Sequence, residues 1–240
     1  MIRSPNLNVI IKALDKISPK MARDFGEIEN LQSNSFAATK FANACYKAVK
    51  ERLIEDLSEF RPDFNIRFLD GEKINDNINA KASFVVAPID GLLNFSRAIP
   101  SFSNVIALEE IIDGKPEITA IAISNIVSNE VCVAQKGSGA FLRNRRIRIA
   151  SHKPLSHILC AINNKNLFRS ELVHHDKYVL QLRNCSSLDL VDLAAGKLDL
   201  AIFDERDCEM LNIASVLIKE AGGFITQKGS VLLVGNNKLI

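Results

Sequence analysis

One aspartate lies on a tight turn directly after a strand-like apolar segment. Residues 87–95 read APIDGLLNF, so Asp90 follows the apolar run 82–86 and precedes Gly91. A carboxylate in this position can hold a divalent metal ion for phosphate chemistry, but such an ion needs several oxygen ligands. Ala87 occupies the position where a second carboxylate could share the ion with Asp90. The segment is therefore either a metal site that lacks ligands, or a turn in which Asp90 has only a capping role.

Other charged or metal-ligating residues have simpler interpretations. Adjacent helical residues do not face one site, so His174 and His175 are predicted to lie on a polar helix face. Asp207 precedes a predicted helix and is interpreted as its N-cap. The segment FLRNRRIRI predicts a solvated hairpin tip, with a surface for RNA or an acidic partner as the alternative. It contains four arginines: Arg143, Arg145, Arg146 and Arg148.

Composition limits the class of protein. With 240 residues, 47% hydrophobic and 24% charged, the chain can bury one large core or two smaller lobes. A formal charge of +2 is too small to indicate nucleic-acid binding by itself. We expect no membrane span and no signal peptide, because no apolar run is long enough and the N-terminus lacks a signal-peptide core. The odd number of scattered cysteines predicts reduced, buried thiols in a cytoplasmic protein. They are Cys45, Cys132, Cys160, Cys185 and Cys208.

The elements that must position these residues alternate between helix and strand. Apolar periodicity predicts an amphipathic helix over residues 6–25 and a second helix within 36–60. The predicted inward stripe of that second helix is Ala44, Ala48, Leu53 and Leu57. Strands are predicted at 64–69, 82–87, 103–109, 117–125 and 130–135, then a hairpin with Asn144 near its tip. A strand at 158–163, helices near 171–183 and 186–195, a strand at 198–203, a helix at 208–221 and two short strands follow. The pattern indicates a mixed α and β fold with helices against sheets in several layers.

Several segments, in the same order along the chain, resemble motifs of the inositol monophosphatase family. APIDGLLNF is similar to the Asp-Pro-Ile/Leu-Asp-Gly-Thr-Thr-Asn-Phe signature, and KGSGAFLRNRRIRIA resembles the Gly-Gly-Gly-Ala-Phe hairpin. LDLVDLAAGKLDL resembles the family's helix-and-strand segment, and residues 220–223 match its Glu-Ala-Gly-Gly ending. The stretch ARDFGEIENLQ is similar to the bacterial SuhB-type branch, the extragenic suppressor proteins.

The resemblance covers nearly the whole chain and implies an α/β (α+β) fold, a five-layer αβαβα sandwich. It implies one domain over 1–240, with an N-terminal α+β lobe over about 1–150 and a C-terminal α/β lobe over about 151–240. It further implies a homodimer and a Mg²⁺-dependent phosphomonoesterase ancestry. The apolar strands 103–109 and 117–125 are possible contributors to the dimer interface.

Most of the family's metal ligands are absent when they are carried over residue by residue. The first signature Asp falls on Ala87, whereas the second is retained as Asp90. Ile89 still offers a backbone carbonyl oxygen. The Thr that positions the attacking water falls on Leu92, and the Asp of the later Trp-Asp pair falls on Met210, whose thioether is a poor Mg²⁺ ligand.

The family's Glu-Glu pair has two placements in this chain. In one, both acids are lost to Phe68 and Leu69; in the other, a different gap places Glu72 at the ligand position. The acidic residues of the upstream Asp-x-Val-x-x-x-Asp segment fall on Thr39 and Cys45. The metal-ligand candidates are therefore Asp90, the carbonyl of Ile89, and Glu72.

The resemblance leaves two hypotheses about function. The family's sugar-binding Glu falls on Phe203, so that Asp204, together with Gly91 and Leu92, is a substrate-binding candidate. The first hypothesis is a catalytically inactive member, with Asp90 as a remnant and Mg²⁺ bound weakly or not at all. It would act as a binding or regulatory protein, and SuhB-type relatives imply contact with RNA polymerase, Nus factors or RNA. The alternative is an active Mg²⁺-dependent phosphatase of inositol 1-phosphate or a related ester, with a rearranged site.

Overall fold

Two long helices begin the fold, which a computed structural model describes over residues 4–151, 157–169, 173 and 176–239. Helix α1 spans Pro5–Glu29 and α2 spans Ser35–Phe60. The hydroxyl of Ser4 accepts a hydrogen bond of 3.2 Å from the Leu7 amide, which caps α1 at its start. The predicted first helix is confirmed.

An eight-stranded sheet, sheet A, packs against these helices. Its spatial order is β2-β1-β3-β4-β5-β6-β7-β8, with β1 parallel to β3 and the other neighbours antiparallel. The turn between β7 and β8 has positive φ at Arg143 and Asn144, as a two-residue hairpin requires, so the predicted tip is confirmed. The short helix α3 (Leu92–Ser96) follows β3. The strands are β1 (Asn65–Phe68), β2 (Lys73–Ile74), β3 (Ala82–Asp90), β4 (Ser103–Ile112), β5 (Lys115–Asn125), β6 (Glu130–Gln135), β7 (Gly139–Leu142) and β8 (Arg145–Ile147).

The second half of the chain forms a five-stranded sheet, sheet B, in the order β10-β9-β11-β13-β12. Strands β10, β9 and β11 are parallel, so their carboxyl ends meet at one edge. Two helices, α4 (Ser186–Ala194) and α5 (Glu209–Glu220), belong to this half. The strands are β9 (Ile158–Ile162), β10 (Tyr178–Gln181), β11 (Leu200–Asp204), β12 (Phe224–Lys228) and β13 (Val231–Gly235).

Side chains alternate along β3 between two buried apolar clusters. Val85 and Ala87 join residues of α4, α5 and sheet B in a cluster that we call the interlobe core. Phe84 and Val86 join residues of α1 and α2 in a second cluster, the helix-side core. The outer face of sheet B packs against Leu167, in the 3₁₀ segment Lys165–Arg169. The predicted α/β class, with helices against two stacked sheets, is confirmed.

Two predictions about helices are wrong. The helix expected near 171–183 is replaced at Tyr178–Gln181 by β10, because these residues pair with β9 at the edge of sheet B; His174 and His175 lie outside the described residues. The inward stripe of α2 is displaced, with Ala44 exposed and Ala48 half-buried. The buried residues of α2 are Ala38, Ala42, Cys45, Val49, Lys50, Leu53, Asp56 and Leu57.

Asp207 is not the N-cap of α5. Cys208 occupies that position without a side-chain cap, while the Asp207 carboxylate accepts a 3.1 Å hydrogen bond from the Asn164 side chain. The residue thus joins the loops that follow β9 and β11, because the parallel strands bring both loops to one edge.

The carboxylate of Glu220 links the end of α5 to the turn between β6 and β7. It accepts hydrogen bonds of 2.6 Å from the backbone amides of both Gly137 and Gly139. All five cysteines are free thiols, and four of them are buried. Among the described residues, none of the helices is long and apolar enough to cross a membrane. The lobe boundary near residue 150 stays a prediction.

Candidate functional site

Asp90 is the last residue of β3 and is half-buried at the start of a fixed turn. The pairing of β3 with β4 is irregular between Ala87 and Asp90, and such an irregularity re-aims the end of a strand. The next residue, Gly91, has a φ of +81°, and a Cβ there would lie 2.7 Å from the Ser101 carbonyl oxygen. Only glycine fits, so the turn has little freedom to move Asp90.

The carboxylate of Asp90 caps helix α4, which lies about a hundred residues further along the chain. Its Oδ2 accepts hydrogen bonds from the Ser187 amide at 2.8 Å, the Ser187 hydroxyl at 2.5 Å and the Cys185 thiol at 3.4 Å. The Ser187 hydroxyl also lies 2.6 Å from that of Ser103 on β4. An anion at a helix N-terminus satisfies free amides and interacts favourably with the helix dipole. Asp90 therefore joins β3 to α4, a longer-range role than the local turn cap that was one of its sequence interpretations.

The residues that the family resemblance places at or beside the metal site are, apart from Asp90 and Glu72, apolar and buried or half-buried. Ala87 and Met210 belong to the interlobe core, with exposed fractions of 6% and 8%, and Leu69 packs against it. Leu92 and Ile89 instead face the helix-side core. Carbon and thioether side chains in these places offer no hard oxygen to a metal ion.

Glu72 and Asp70 share a lysine rather than a common open site. The Lys50 ammonium lies 2.6 Å from Asp70 Oδ2 and 2.8 Å from Glu72 Oε2. It also lies 4.3 Å from the ring centroid of Phe68, which is fully buried. Burial raises the pKa of Asp70, but hydrogen bonds from Lys50, the Glu72 amide and Tyr46 outweigh this effect and hold the pKa below its usual range.

The substrate-side candidate Asp204 pairs with its neighbour Arg206. A guanidinium nitrogen of Arg206 lies 3.0 Å from Asp204 Oδ2, and these hydrogen bonds lower the pKa of Asp204. Phe203 is buried in the interlobe core. Thr39 is exposed and bonds the Ser35 carbonyl, whereas Cys45 lies in the helix-side core.

The negative charge of each carboxylate at the candidate site is balanced by its own hydrogen-bond or ion-pair partner. Asp90 is bonded to α4, Asp70 and Glu72 are bonded to Lys50, and Asp204 is bonded to Arg206. No group of three or more His, Cys, Asp or Glu side chains in the described part of the chain could hold a metal ion. Because Mg²⁺ requires near-octahedral oxygen coordination, these side-chain positions do not fit the ion.

Comparisons with known proteins agree with the sequence motifs. The profile of the inositol monophosphatase family matches residues 3–238. The chain belongs to this family. It is 33% identical over 240 residues to an inositol-1-monophosphatase of Rhizobium meliloti, covering 94% of this chain and 86% of that protein. It is 25% identical to a Nus factor SuhB of Xylella fastidiosa over 93% and 82% of the two chains.

A solved structure of the same family has the same fold. The extragenic suppressor protein SuhB from Bartonella henselae matches with a TM-score of 0.81 and 27% identity, over 98% of this chain and 95% of that one. The predicted family and its layered fold are therefore confirmed.

Two groups at the site escaped the sequence analysis of this family member. Lys50 lies three residues before Leu53 and seven before Leu57, on the same face of α2. A cation on an apolar helix face could have been recognised from the sequence. Ser187 gave no such signal, because nothing local connects it to a carboxylate in β3.

Asp189, two residues beyond Ser187 in α4, is almost fully buried with a 2% exposed fraction. Its carboxylate accepts hydrogen bonds of 3.0 Å from Gln181 and pairs with Arg183 at 3.2 Å. Burial raises the pKa of Asp189 to about 7, although Arg183 and Gln181 oppose the rise, and the charges of Asp192 and Asp90 add to it.

The substitution Asp90→Asn is expected to lower the free energy of unfolding by about 1–2 kcal/mol in chelator, because the charged cap of α4 is lost. A carboxylate kept only for metal would give the opposite sign, since neutralising it relieves charge repulsion in a metal-free site. Urea unfolding in EDTA measures the difference. Asp15→Asn, on the exposed face of α1, is the control. An unchanged or increased stability of Asp90→Asn would contradict the capping role.

Asp189 is expected to make the fold less stable as pH rises toward 7. Between an unfolded pKa of 3.8 and a folded pKa of about 7, the folded state binds one more proton, so stability present at low pH is lost through this window. The variant Asp189→Asn should remove a decline on the order of 2 kcal/mol between pH 5 and pH 7. Urea unfolding at intervals of pH, beside the Asp15→Asn control, tests this. Equal slopes for wild type and Asp189→Asn would refute it.

Proposed function

We propose that this protein is a member of the inositol monophosphatase family whose Mg²⁺-dependent phosphomonoesterase site is largely lost, and that it acts as a binding or regulatory protein. The observation that carries the proposal is the engagement of Asp90 by α4. The retained carboxylate of Asp90 caps α4, while Ala87, Leu69 and Met210 contribute to apolar packing.

The chemistry of ester hydrolysis explains why these changes matter together. A phosphomonoesterase of this type uses metal ions to lower the pKa of a water and to neutralise the phosphate. Asp90 with one backbone carbonyl would leave most of the coordination shell of Mg²⁺ as water, which gives little affinity. The effects of catalytic groups that act together are not additive, so one remaining metal ligand would retain little of the rate of ester hydrolysis.

The partner that we propose is a component of the transcription machinery. Relatives from Xylella fastidiosa and Pasteurella multocida are each named a Nus factor SuhB. The hairpin of β7 and β8 presents Arg145, Arg146 and Arg148 to solvent, while Arg143 is paired with Glu130 at 2.7 Å. These exposed arginines could contribute to contact with RNA or an acidic partner, and such a role accords with a cytoplasmic location.

An active phosphatase with a rearranged site is the second candidate. Its support is the 33% identity to the Rhizobium meliloti inositol-1-monophosphatase and the 30% identity to one from Mesorhizobium japonicum. To bind Mg²⁺, this chain would have to release Asp90 from Ser187, or Asp70 and Glu72 from Lys50.

Wild-type protein is expected to show no Mg²⁺-dependent hydrolysis of inositol 1-phosphate or of a generic phosphomonoester. Ala87→Asp with Met210→Asp should restore Mg²⁺ binding in calorimetry, and adding Leu92→Thr and Leu69→Glu should yield activity, whereas single variants should not. The combined variant should be less stable in chelator and recover with Mg²⁺, by linkage. Hydrolysis by the wild type that Asp90→Asn abolishes would favour the second candidate and overturn the proposal.

We also propose a homodimer, on the precedent of the family. Strands β4 and β5 lie in the middle of sheet A, and most of their apolar side chains are buried in the two cores, so the segments 103–109 and 117–125 offer little support for an interface. Light scattering is expected to give twice the 26.5 kDa mass of the chain. A monomer mass that does not change with concentration would contradict this expectation.

A further inference from the structure

The ammonium of Lys50 lies in a site whose surrounding groups are those that bind a cation. The residue has an exposed fraction of 8%, and its Nζ reaches Asp70 and Glu72 at 2.6 and 2.8 Å. The face of the Phe68 ring lies 4.3 Å away, and a ring face attracts a cation electrostatically. Two carboxylates and an aromatic face thus converge on one charge supplied by α2.

The two acids are held in place by further bonds. Asp70 Oδ2 also accepts a 3.0 Å hydrogen bond from the Tyr46 hydroxyl, and Asp70 Oδ1 accepts one of 3.1 Å from the Glu72 amide. The loop after β1 is thus ordered around the Lys50 ammonium.

We propose that Lys50 is the resident cation of this loop and takes the place of a divalent metal ion as the counter-charge of Asp70 and Glu72. The inference deepens the proposed loss of the metal site and rests on it. Its consequence is that these acids cannot bind a metal while Lys50 is present, because a metal ion would have to displace a largely buried ammonium that has two carboxylate partners. Removing the ammonium should expose a site for hard di- or trivalent cations.

Terbium(III) luminescence can locate such a site, because a nearby tyrosine sensitises the ion. The chain has no tryptophan and two tyrosines, Tyr46 and Tyr178. Since Tyr46 is bonded to Asp70, an ion bound there would be excited through its ring. The full-length variant Lys50→Met keeps the length of the side chain and removes its charge.

Lys50→Met in EDTA-free buffer is expected to give at least a tenfold stronger tyrosine-sensitised Tb³⁺ emission than wild type. Mg²⁺ or Ca²⁺ should suppress it by competition, and adding Tyr46→Phe to Lys50→Met should abolish it. Lys47→Met is the matched control, because Lys47 is an exposed lysine of the same helix, paired only loosely with Glu51 at 3.9 Å. It should behave as wild type.

Equal Tyr46-dependent emission from wild type and Lys50→Met would overturn the inference, as would a folded Lys50→Met that gives none. If Lys50→Met is unfolded in chelator, circular dichroism should show that Mg²⁺ or Tb³⁺ refolds it, and failure to refold would also overturn the inference. Phosphomonoester hydrolysis by the wild type bears on the proposed function alone. The two ideas can therefore fail separately.

Discussion

The bond between the Asp90 carboxylate and the start of α4 is the contact on which the arrangement of the site depends. A half-buried carboxylate such as Asp90 needs hydrogen-bond donors, because an unpaired charge away from water costs several kcal/mol. The first turn of α4 supplies them through an amide and a hydroxyl of Ser187. Beside it, the Asn94 side chain donates hydrogen bonds of 2.7 Å to the carbonyls of Ser101 and Arg183. One junction thus joins the end of β3, the start of β4 and the approach to α4.

The other acids of the site also need a partner for their charge, and their ion pairs differ in how far they are buried. The pair of Arg206 with Asp204 has an arginine whose side chain is 80% exposed, so solvent screens it and it contributes little to stability. The Lys50 side chain is only 11% exposed, and loss of either carboxylate partner there would leave a poorly solvated charge. In a metal cluster, these acids would coordinate the same ions. In this protein each acid has its own local partner: Ser187 for Asp90, Lys50 for Asp70 and Glu72, and Arg206 for Asp204.

The features that sequence could predict are those decided by local chemistry. Apolar periodicity predicted α1. The residue pattern also predicted a hairpin with Asn144 near its tip, where the structure has the positive φ of a two-residue turn. The sequence alone also shows that the side chains of Ala87 and Met210 carry no ligand oxygen, because this follows from the residue type. By contrast, β10 exists through its pairing with β9, and weak local preference at an edge strand cannot reveal that partner.

Partners distant in the chain account for the remaining differences. Asp90 and Ser187 are 97 positions apart, so the capping role depends on how the two sheets pack around α4. Lys50 was not predicted either, although a charge among the buried positions of α2 requires a counter-charge. Which acids would supply it depended on the loop after β1, where Asp70 and Glu72 are reached only once β1 pairs with β3.

The alternation of side chains along β3 explains how an apolar residue is accommodated at Ala87. Val85 and Ala87 face the interlobe core, whereas Phe84 and Val86 face the helix-side core. The ligand position implied by the family resemblance lies at the end of the first of these rows. Alanine there extends the apolar row by one residue, and Met210 adds to the same core from the first turn of α5. Apolar residues at the rim of a core add buried area and bring no charge repulsion, so Ala87 and Met210 favour stability where they stand.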